Sequence, residues 1–172
     1  IFLGTETTGT SQATDRIVEV CAIEVDDDFN EIDSFHAFIN PQRKVPWFVT
    51  RIHGLNNEFL DDKPIFSDIG RDLLLFLEGS ELWAHNMSFD AGMLNAEFAR
   101  NRLPTLEKVD CRLNCTLQLA RSTFPGQKNS LDALLDRFAI DRSERRLHGA
   151  MIDTRLLVKV YQNLVSYRTK TS

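Results

Sequence analysis

The sequence has 172 residues, which suits one domain with a sizeable core, and its 42% hydrophobic and 26% charged residues are typical of globular proteins. The net charge of −5 argues against broad, non-specific phosphate binding, but it is compatible with a nucleic-acid enzyme whose positive charge is carried by bound ions. No hydrophobic run approaches the roughly 20 residues that cross a bilayer, and the N-terminal residues do not resemble a signal peptide, so we expect no membrane partner.

Three hydrophobic segments in the first 40 residues predict an antiparallel meander. Residues 1–3 and those just after them predict the first strand, and residues 16–25 predict a longer second strand. The acidic residues 26–28 then turn the chain, and the alternating segment 34–40 predicts a third strand that ends before Pro41.

The remaining chain mixes helical periodicity with two further short strands. We predict, in chain order, a helix over 66–77, a strand over 81–85, a helix capped by Ser88 and reaching about Arg100, a strand around Val109, and helices over 113–121, 130–138 and 149 to about 165. Residues 1–166 would form the domain, and the polar residues 167–172 a frayed tail. This order predicts an α/β fold in which helices flank a five-stranded mixed sheet.

The three cysteines, Cys21, Cys111 and Cys115, have no framework spacing and predict reduced thiols in a cytoplasmic protein. Cys111 and Cys115 lie four residues apart and would share a helix face, which leaves two interpretations, burial in the core or a zinc site. A structural zinc usually needs four ligands, and no nearby Cys or His completes a set, so burial is favoured.

Three carboxylates and a histidine lie at the ends of predicted elements. Glu6 follows the first strand and shares its face with Gly4, because side chains alternate along a strand. Asp90 lies in the first turn of a helix, and Asp153 lies in the apolar first half of the last helix, five residues after His148. Each has an ordinary interpretation alone, as a strand-end acid, a helix N-terminal acid or a capping histidine. Together and in this order they indicate one site.

Six stretches around these residues match one family of enzymes. From Phe2 to about Val165 the chain resembles the DnaQ-like family of 3′-5′ exonucleases with the DEDDh signature, in the branch of the DNA polymerase III epsilon exonuclease domains. The matching stretches are Thr5-Glu6-Thr7-Thr8-Gly9, Ile52-His53-Gly54, His85-Asn86 with Phe89-Asp90, Phe124-Pro125-Gly126, Asn129-Ser130-Leu131-Asp132-Ala133-Leu134, and Leu147-His148-Gly149-Ala150 with Asp153. The resemblance implies a ribonuclease H-like fold, in agreement with the predicted element order.

The resemblance also implies a mechanism with two divalent ions, Mg²⁺ or Mn²⁺. Such ions, about 3.5–4 Å apart, stabilise charge on the attacking and leaving oxygens of a phosphodiester and take hard carboxylate ligands. Glu6 and Asp153 would hold the ion that carries the nucleophilic water, and Asp90 would lie near the second ion. His148 would be the general base, a role that suits an imidazole at neutral pH.

The implied substrate is a DNA 3′ end, single-stranded or frayed, because unpairing costs least there. Thr7 and Thr8 would receive the terminal nucleotide, and Phe48 and His53 would wall its base. Two further residues, His85 and Asn86, complete the predicted substrate site. The full-length protein would proofread for a polymerase catalytic subunit. Three basic residues in one loop either contact backbone phosphates or are simply solvated: Arg142, Arg145 and Arg146.

Gly4 departs from the family pattern, which has an aspartate at this position that would bridge both ions. Its loss would cost several kcal/mol of transition-state stabilisation, and each 1.36 kcal/mol is about tenfold in rate. We therefore expect this chain to be impaired and Gly4→Asp to raise its activity by orders of magnitude. Two alternatives remain: a non-catalytic module that binds a DNA 3′ end or a polymerase, and an RNase of the same fold. One substitution among otherwise intact family positions favours the exonuclease.

Overall fold

A computed structural model describes residues 1–171 and contains one five-stranded mixed sheet. Its order is β3-β2-β1-β4-β5, with β1 (Phe2–Thr7), β2 (Ile17–Val25), β3 (Glu31–Phe38), β4 (Glu81–Ala84) and β5 (Arg112–Cys115). The first three strands pair antiparallel, and β4 is parallel to both β1 and β5. The predicted meander and the predicted mixed sheet are confirmed.

Seven helices surround the sheet within the described residues: α1 (Trp47–His53), α2 (Asn57–Leu60), α3 (Phe66–Leu77), α4 (Met87–Arg100), α5 (Thr116–Thr123), α6 (Leu131–Arg137) and α7 (Ala150–Thr171). Leu3 of β1 joins the core formed with α3 and α4 on one face of the sheet. Phe2 packs with Leu157 and Val158 of α7 on the other face. Because side chains alternate along β1, Gly4 and Glu6 share the α7 face with Phe2.

Two short helices escaped prediction, and one strand was misplaced. Helices α1 and α2 carry large exposed apolar side chains, so they lack the buried stripe that identifies an amphipathic helix. Val109 lies in a 3-10 turn rather than in a strand, and β5 begins at Arg112. The helix predicted over 113–121 begins at Thr116, because the residues before it pair with β4.

The C-terminal helix is longer than predicted. Helix α7 continues to Thr171, beyond the predicted helix end near residue 165, while Ser172 lies outside the described residues. Fraying of the tail over residues 167–172 stays a prediction. The ring of Tyr167 lies 4.8 Å from that of Phe124, and the Arg168 guanidinium donates hydrogen bonds to the hydroxyl groups of Ser122 and Thr123. These contacts join the last turns of α7 to the end of α5.

The three cysteines carry free thiols. Cys21 and Cys111 are buried, as predicted, whereas Cys115 is partly exposed. Cys111 and Cys115 do not share a helix face, because Cys115 ends strand β5. Within residues 1–171, no helix combines the length and the hydrophobicity needed to span a membrane.

Candidate active site

The four predicted catalytic residues line one cavity of about 320 Å³. Glu6 comes from the end of β1, Asp90 from the first turn of α4, and Asp153 from the first turn of α7. His148 lies in the loop just before α7. Parallel pairing of β1 with β4 brings the end of β1 near the start of α4, while α7 packs across β1. The topology therefore gathers carboxylates that are far apart in the sequence.

Glu6 lies where negative charge accumulates. The pKa of its carboxyl is raised to about 8, mainly by burial and further by the nearby carboxylates of Asp153, Glu19 and Asp90, while Arg145 opposes the shift. The combined repulsion from these carboxylates exceeds the attraction of the single Arg145 guanidinium. A bound cation would relieve this repulsion.

Asp90 is held rigidly at the start of α4. Its side chain is buried, and its Oδ1 accepts a hydrogen bond of 2.8 Å from the Thr5 hydroxyl. Burial raises the pKa of Asp90 to about 7, although the Thr5 hydrogen bond favours the charged form. Asn86, which precedes α4, has a left-handed backbone with φ of 74°, and its Oδ1 accepts from the Ser88 hydroxyl. The N-cap of α4 is therefore Asn86 and not Ser88 as predicted.

Asp153 and His148 are joined by a guanidinium. Arg145 donates to the two carboxylate oxygens of Asp153, from Nε at 2.5 Å and from Nη2 at 3.2 Å. The same Nη2 lies 3.0 Å from Nδ1 of His148. Because a guanidinium only donates, Nδ1 is the acceptor and carries the lone pair. His148 is 47% exposed at the mouth of the cavity, and its backbone N–H donates to the Ile52 carbonyl.

Glu19 is a contributor to the site that we did not predict. It is only 4% exposed, lies opposite Glu6 across the β1–β2 pair, and accepts the backbone N–H of Ala150 at 2.9 Å. Its other oxygen lies 2.7 Å from Nε2 of His36. Glu19 thus ties β2 and β3 to the first residue of α7, two positions after His148. An acid inside the apolar run of β2 was the signal that could have identified it.

Of the predicted substrate residues, His85 lies on the cavity wall. Its two ring nitrogens contact the Thr116 hydroxyl and the Asn129 carbonyl, each at 2.8 Å, so its polar atoms are already engaged. Burial is the main cause that lowers its pKa. His85 is placed to shape the cavity by its ring rather than by a free hydrogen bond.

The other predicted substrate residues lie outside the cavity lining. Thr8 is buried and its hydroxyl donates to Asp15 at 2.7 Å. His53 is also buried: its Nδ1 accepts from the Leu55 N–H, which leaves Nε2 to donate to the Thr7 carbonyl at 3.2 Å. Phe48, by contrast, is 57% exposed on α1. These contacts anchor the turn after β1, and contact with a nucleotide remains a prediction for Thr7, Thr8, Phe48, His53 and Asn86.

Gly4 lies against a tightly packed neighbour. A Cβ at this position would lie 2.8 Å from Oγ1 of Thr154, closer than a Cβ atom normally approaches a neighbouring atom. Thr154 is buried in α7, and its hydroxyl donates to the Ala150 carbonyl at 2.5 Å. The chain therefore has no ready space for a side chain at position 4.

The cavity residues fit a divalent ion in chemistry, although they do not form a finished coordination site. No group of three or more His, Cys, Asp or Glu side chains within residues 1–171 is arranged to hold a metal ion. Carboxylate oxygens are nevertheless the ligands that Mg²⁺ and Mn²⁺ prefer, and Arg145 compensates the negative charge around Glu6 only in part. Glu6 and Asp153 are therefore the candidate ligands, with Asp90 beside them.

Comparisons with known proteins agree with this geometry. Residues 1–161 match the model of the exonuclease family RNase_T. The chain is similar to the DNA polymerase III subunit epsilon of Rickettsia conorii, with 45% identity over 98% of this chain and 74% of that protein. Among solved structures it is similar to exonuclease X in complex with 5′-overhanging duplex DNA, with a TM-score of 0.71, 25% identity, and coverage of 96% of this chain and 90% of that chain. It shares the fold of the zinc-bound E. coli exonuclease I complex with single-stranded DNA, with a TM-score of 0.81 and 22% identity, over 97% of this chain and 40% of that chain.

Proposed function

The chain belongs to the exonuclease family, and we propose that it removes nucleotides from DNA 3′ ends, as the proofreading nuclease of a replicative polymerase. The reaction class, 3′-5′ exonucleolytic hydrolysis, follows from the family. The observation that carries the assignment of residues is the convergence of Glu6, Asp90, Asp153 and His148 on one cavity. We place this activity in the cytoplasm.

We assign the divalent ions to the carboxylates that line the cavity. Two ions, Mg²⁺ or Mn²⁺, would supply an activated water and neutralise charge on the reacting phosphate. Glu6 and Asp153 would hold the first ion, and Asp90 would lie near the second. The Thr5 hydrogen bond fixes the orientation of the Asp90 carboxylate before any ligand arrives.

His148 is the proposed general base. Its Nδ1 carries the lone pair and lies 3.7 Å from Oδ2 of Asp153, so it is the atom placed to accept a proton from a water near Asp153. The hydrogen bond to the Ile52 carbonyl fixes the backbone of His148 while its half-exposed ring can rotate. We therefore expect the ring to move toward the site when substrate binds.

The proposed substrate is a single-stranded or frayed DNA 3′ end. Structures similar to this chain are described with overhanging duplex DNA and with single-stranded DNA, and similar sequences carry the name of a polymerase III subunit. A polymerase catalytic subunit is the corresponding proposed partner of the full-length protein. The net charge of −5 favours recognition of a strand end at the metal site over wide backbone binding.

A labelled single strand tests the proposed function. With Mn²⁺ or Mg²⁺, the chain should shorten a 5′-labelled DNA oligonucleotide progressively from its 3′ end, slowly because Gly4 supplies no ligand, and Asp153→Asn should abolish the shortening. A blunt duplex should be degraded more slowly than the single strand. Binding without shortening at every metal concentration would instead indicate a non-catalytic module for 3′ ends. Faster shortening of a matched RNA strand would indicate an RNase.

A further inference from the structure

The loop before α7 places a guanidinium inside the cavity. The side chain of Arg145 is 7% exposed and lines the cavity with Glu6, Asp153 and His148. Besides its contacts with Asp153 and His148, its Nη1 forms an ion pair with Asp132 on α6. Long charged side chains are rarely this buried unless they are paired. Arg145 is therefore the resident positive charge of the carboxylate site.

The contacts of Arg145 engage the groups that the proposed reaction needs. Both oxygens of Asp153 accept from Arg145, which leaves that carboxylate without a free pair of oxygens for a metal ion. Nδ1 of His148, where the lone pair lies, faces the same guanidinium at 3.0 Å. One side chain therefore blocks a proposed metal ligand and the proposed base at the same time.

The neighbouring arginine of the loop provides a contrast. Arg142 pairs with Asp132 and Asp136 on α6, and its side chain is 39% exposed. It shares Asp132 with Arg145 but makes no ion pair with Asp153. The two residues thus carry the same charge on the same loop and differ in whether they reach the carboxylate site.

We propose that Arg145 competes with the divalent ion for Asp153, so that metal binding exchanges the guanidinium for the ion. This inference rests on the proposed metal site at Glu6 and Asp153. The exchange releases both oxygens of Asp153 and Nδ1 of His148 in one step, while the ion pair with Asp132 keeps the displaced side chain at the rim. The metal-free protein is thus held in an inactive arrangement by its own loop.

Mn²⁺ binding measured by calorimetry or electron paramagnetic resonance tests the exchange independently of DNA cleavage. Removal of the competitor in Arg145→Ala should lower the Mn²⁺ dissociation constant by about tenfold or more relative to the parent chain. Arg145→Gln, which keeps most of the side-chain stem, should behave in the same way, and Arg142→Ala should bind Mn²⁺ as the parent does. Thermal unfolding adds a second measurement: without metal the Arg145 variants should unfold below the parent, and saturating Mn²⁺ should narrow that difference.

The outcomes separate this inference from the proposed function. Equal or weaker Mn²⁺ binding by both Arg145 variants would overturn the exchange, while Mn²⁺ binding that Asp153→Asn removes would still support the metal site. If the parent and the folded Arg145 variants all fail to bind Mn²⁺, the metal site itself is wrong, and the exchange falls with it.

Discussion

The contact between position 4 and Thr154 makes a quantitative prediction about stability. In Gly4→Ala the new Cβ would lie 2.8 Å from Oγ1 of Thr154, whereas ordinary contacts begin near 3.4 Å. Thr154 is 1% exposed and its hydroxyl is hydrogen-bonded to the Ala150 carbonyl, so it can move away only by breaking that bond or shifting α7. Overpacking of this kind costs about 1–3 kcal/mol.

One smaller term modifies this cost. Replacing glycine by alanine inside a strand favours folding by roughly 0.5–1 kcal/mol, which offsets part of the overpacking. We therefore expect Gly4→Ala to lower the free energy of unfolding by about 1–2 kcal/mol, which corresponds to a melting temperature lower by roughly 2–8 °C for a chain of this size. Thr154→Ala removes the obstructing oxygen, so the double variant should recover most of the loss that is specific to position 4.

Urea unfolding without metal measures the coupling between positions 4 and 154. The proteins compared are the parent, Gly4→Ala, Thr154→Ala and the double variant. We expect a coupling energy of about 1–2 kcal/mol in favour of the double variant, well above the few tenths that separate independent sites. Additive effects, or a Gly4→Ala variant as stable as the parent, would refute the packing argument. The side chain introduced by Gly4→Asp would meet the same Thr154 hydroxyl, so Gly4→Asp should need Thr154→Ala to fit.

Three further predictions concern charge and packing elsewhere. Because the folded-state pKa of Glu6 is raised to about 8 from an ordinary 4.5, the free energy of unfolding of the metal-free protein should fall as the pH rises between these values. Urea unfolding at pH 5 and pH 8 should show that Glu6→Gln makes this fall smaller by on the order of 3 kcal/mol. An equal fall in the parent and in Glu6→Gln would contradict the prediction. Glu19→Ala, which leaves the Ala150 N–H without its acceptor, should cost about 2–4 kcal/mol, whereas Glu31→Ala, which removes a surface ion pair, should cost less than about 1 kcal/mol; similar costs in urea would refute the role of Glu19. Tyr167→Ala should speed amide hydrogen exchange in the last turns of α7, and unchanged exchange would mean that the contact with the end of α5 does not hold them.

The long helices and strands were predictable because each contains several repeats of its hydrophobic pattern. Strand β2 and helices α3 and α7 each carry enough buried apolar residues to show a period. Helix α1 carries exposed Trp47 and Phe48, so its pattern contains no buried face to detect. The end of α7 was missed because Tyr167 and Arg168 are stabilised by contacts with α5, which no local pattern reports.

The candidate site was predictable where single residues match a motif. It was unpredictable where the position of a side chain depends on its tertiary contacts. The order of Glu6, Asp90, His148 and Asp153 was sufficient to expect one site, and the structure places all four on one cavity. The position of Arg145 depends on how its loop folds back onto α7, so the sequence left it between a phosphate contact and a solvated side chain. The packing of Thr154 on Gly4 likewise exists only once α7 lies across β1.

The most direct test of a metal site shared by Glu6, Asp90 and Asp153 uses the Gly4→Asp/Thr154→Ala variant. The length of a 5′-labelled single strand is followed over time in the presence of this variant and Mn²⁺. We expect products that shorten one nucleotide at a time from the 3′ end, at least about a hundredfold faster than with the parent chain, as restoring a few kcal/mol would allow. The further change Asp153→Asn should stop the reaction. If the folded Gly4→Asp/Thr154→Ala variant binds Mn²⁺ yet leaves the strand intact, or cuts it internally, the assignment of these carboxylates to exonucleolytic hydrolysis is wrong.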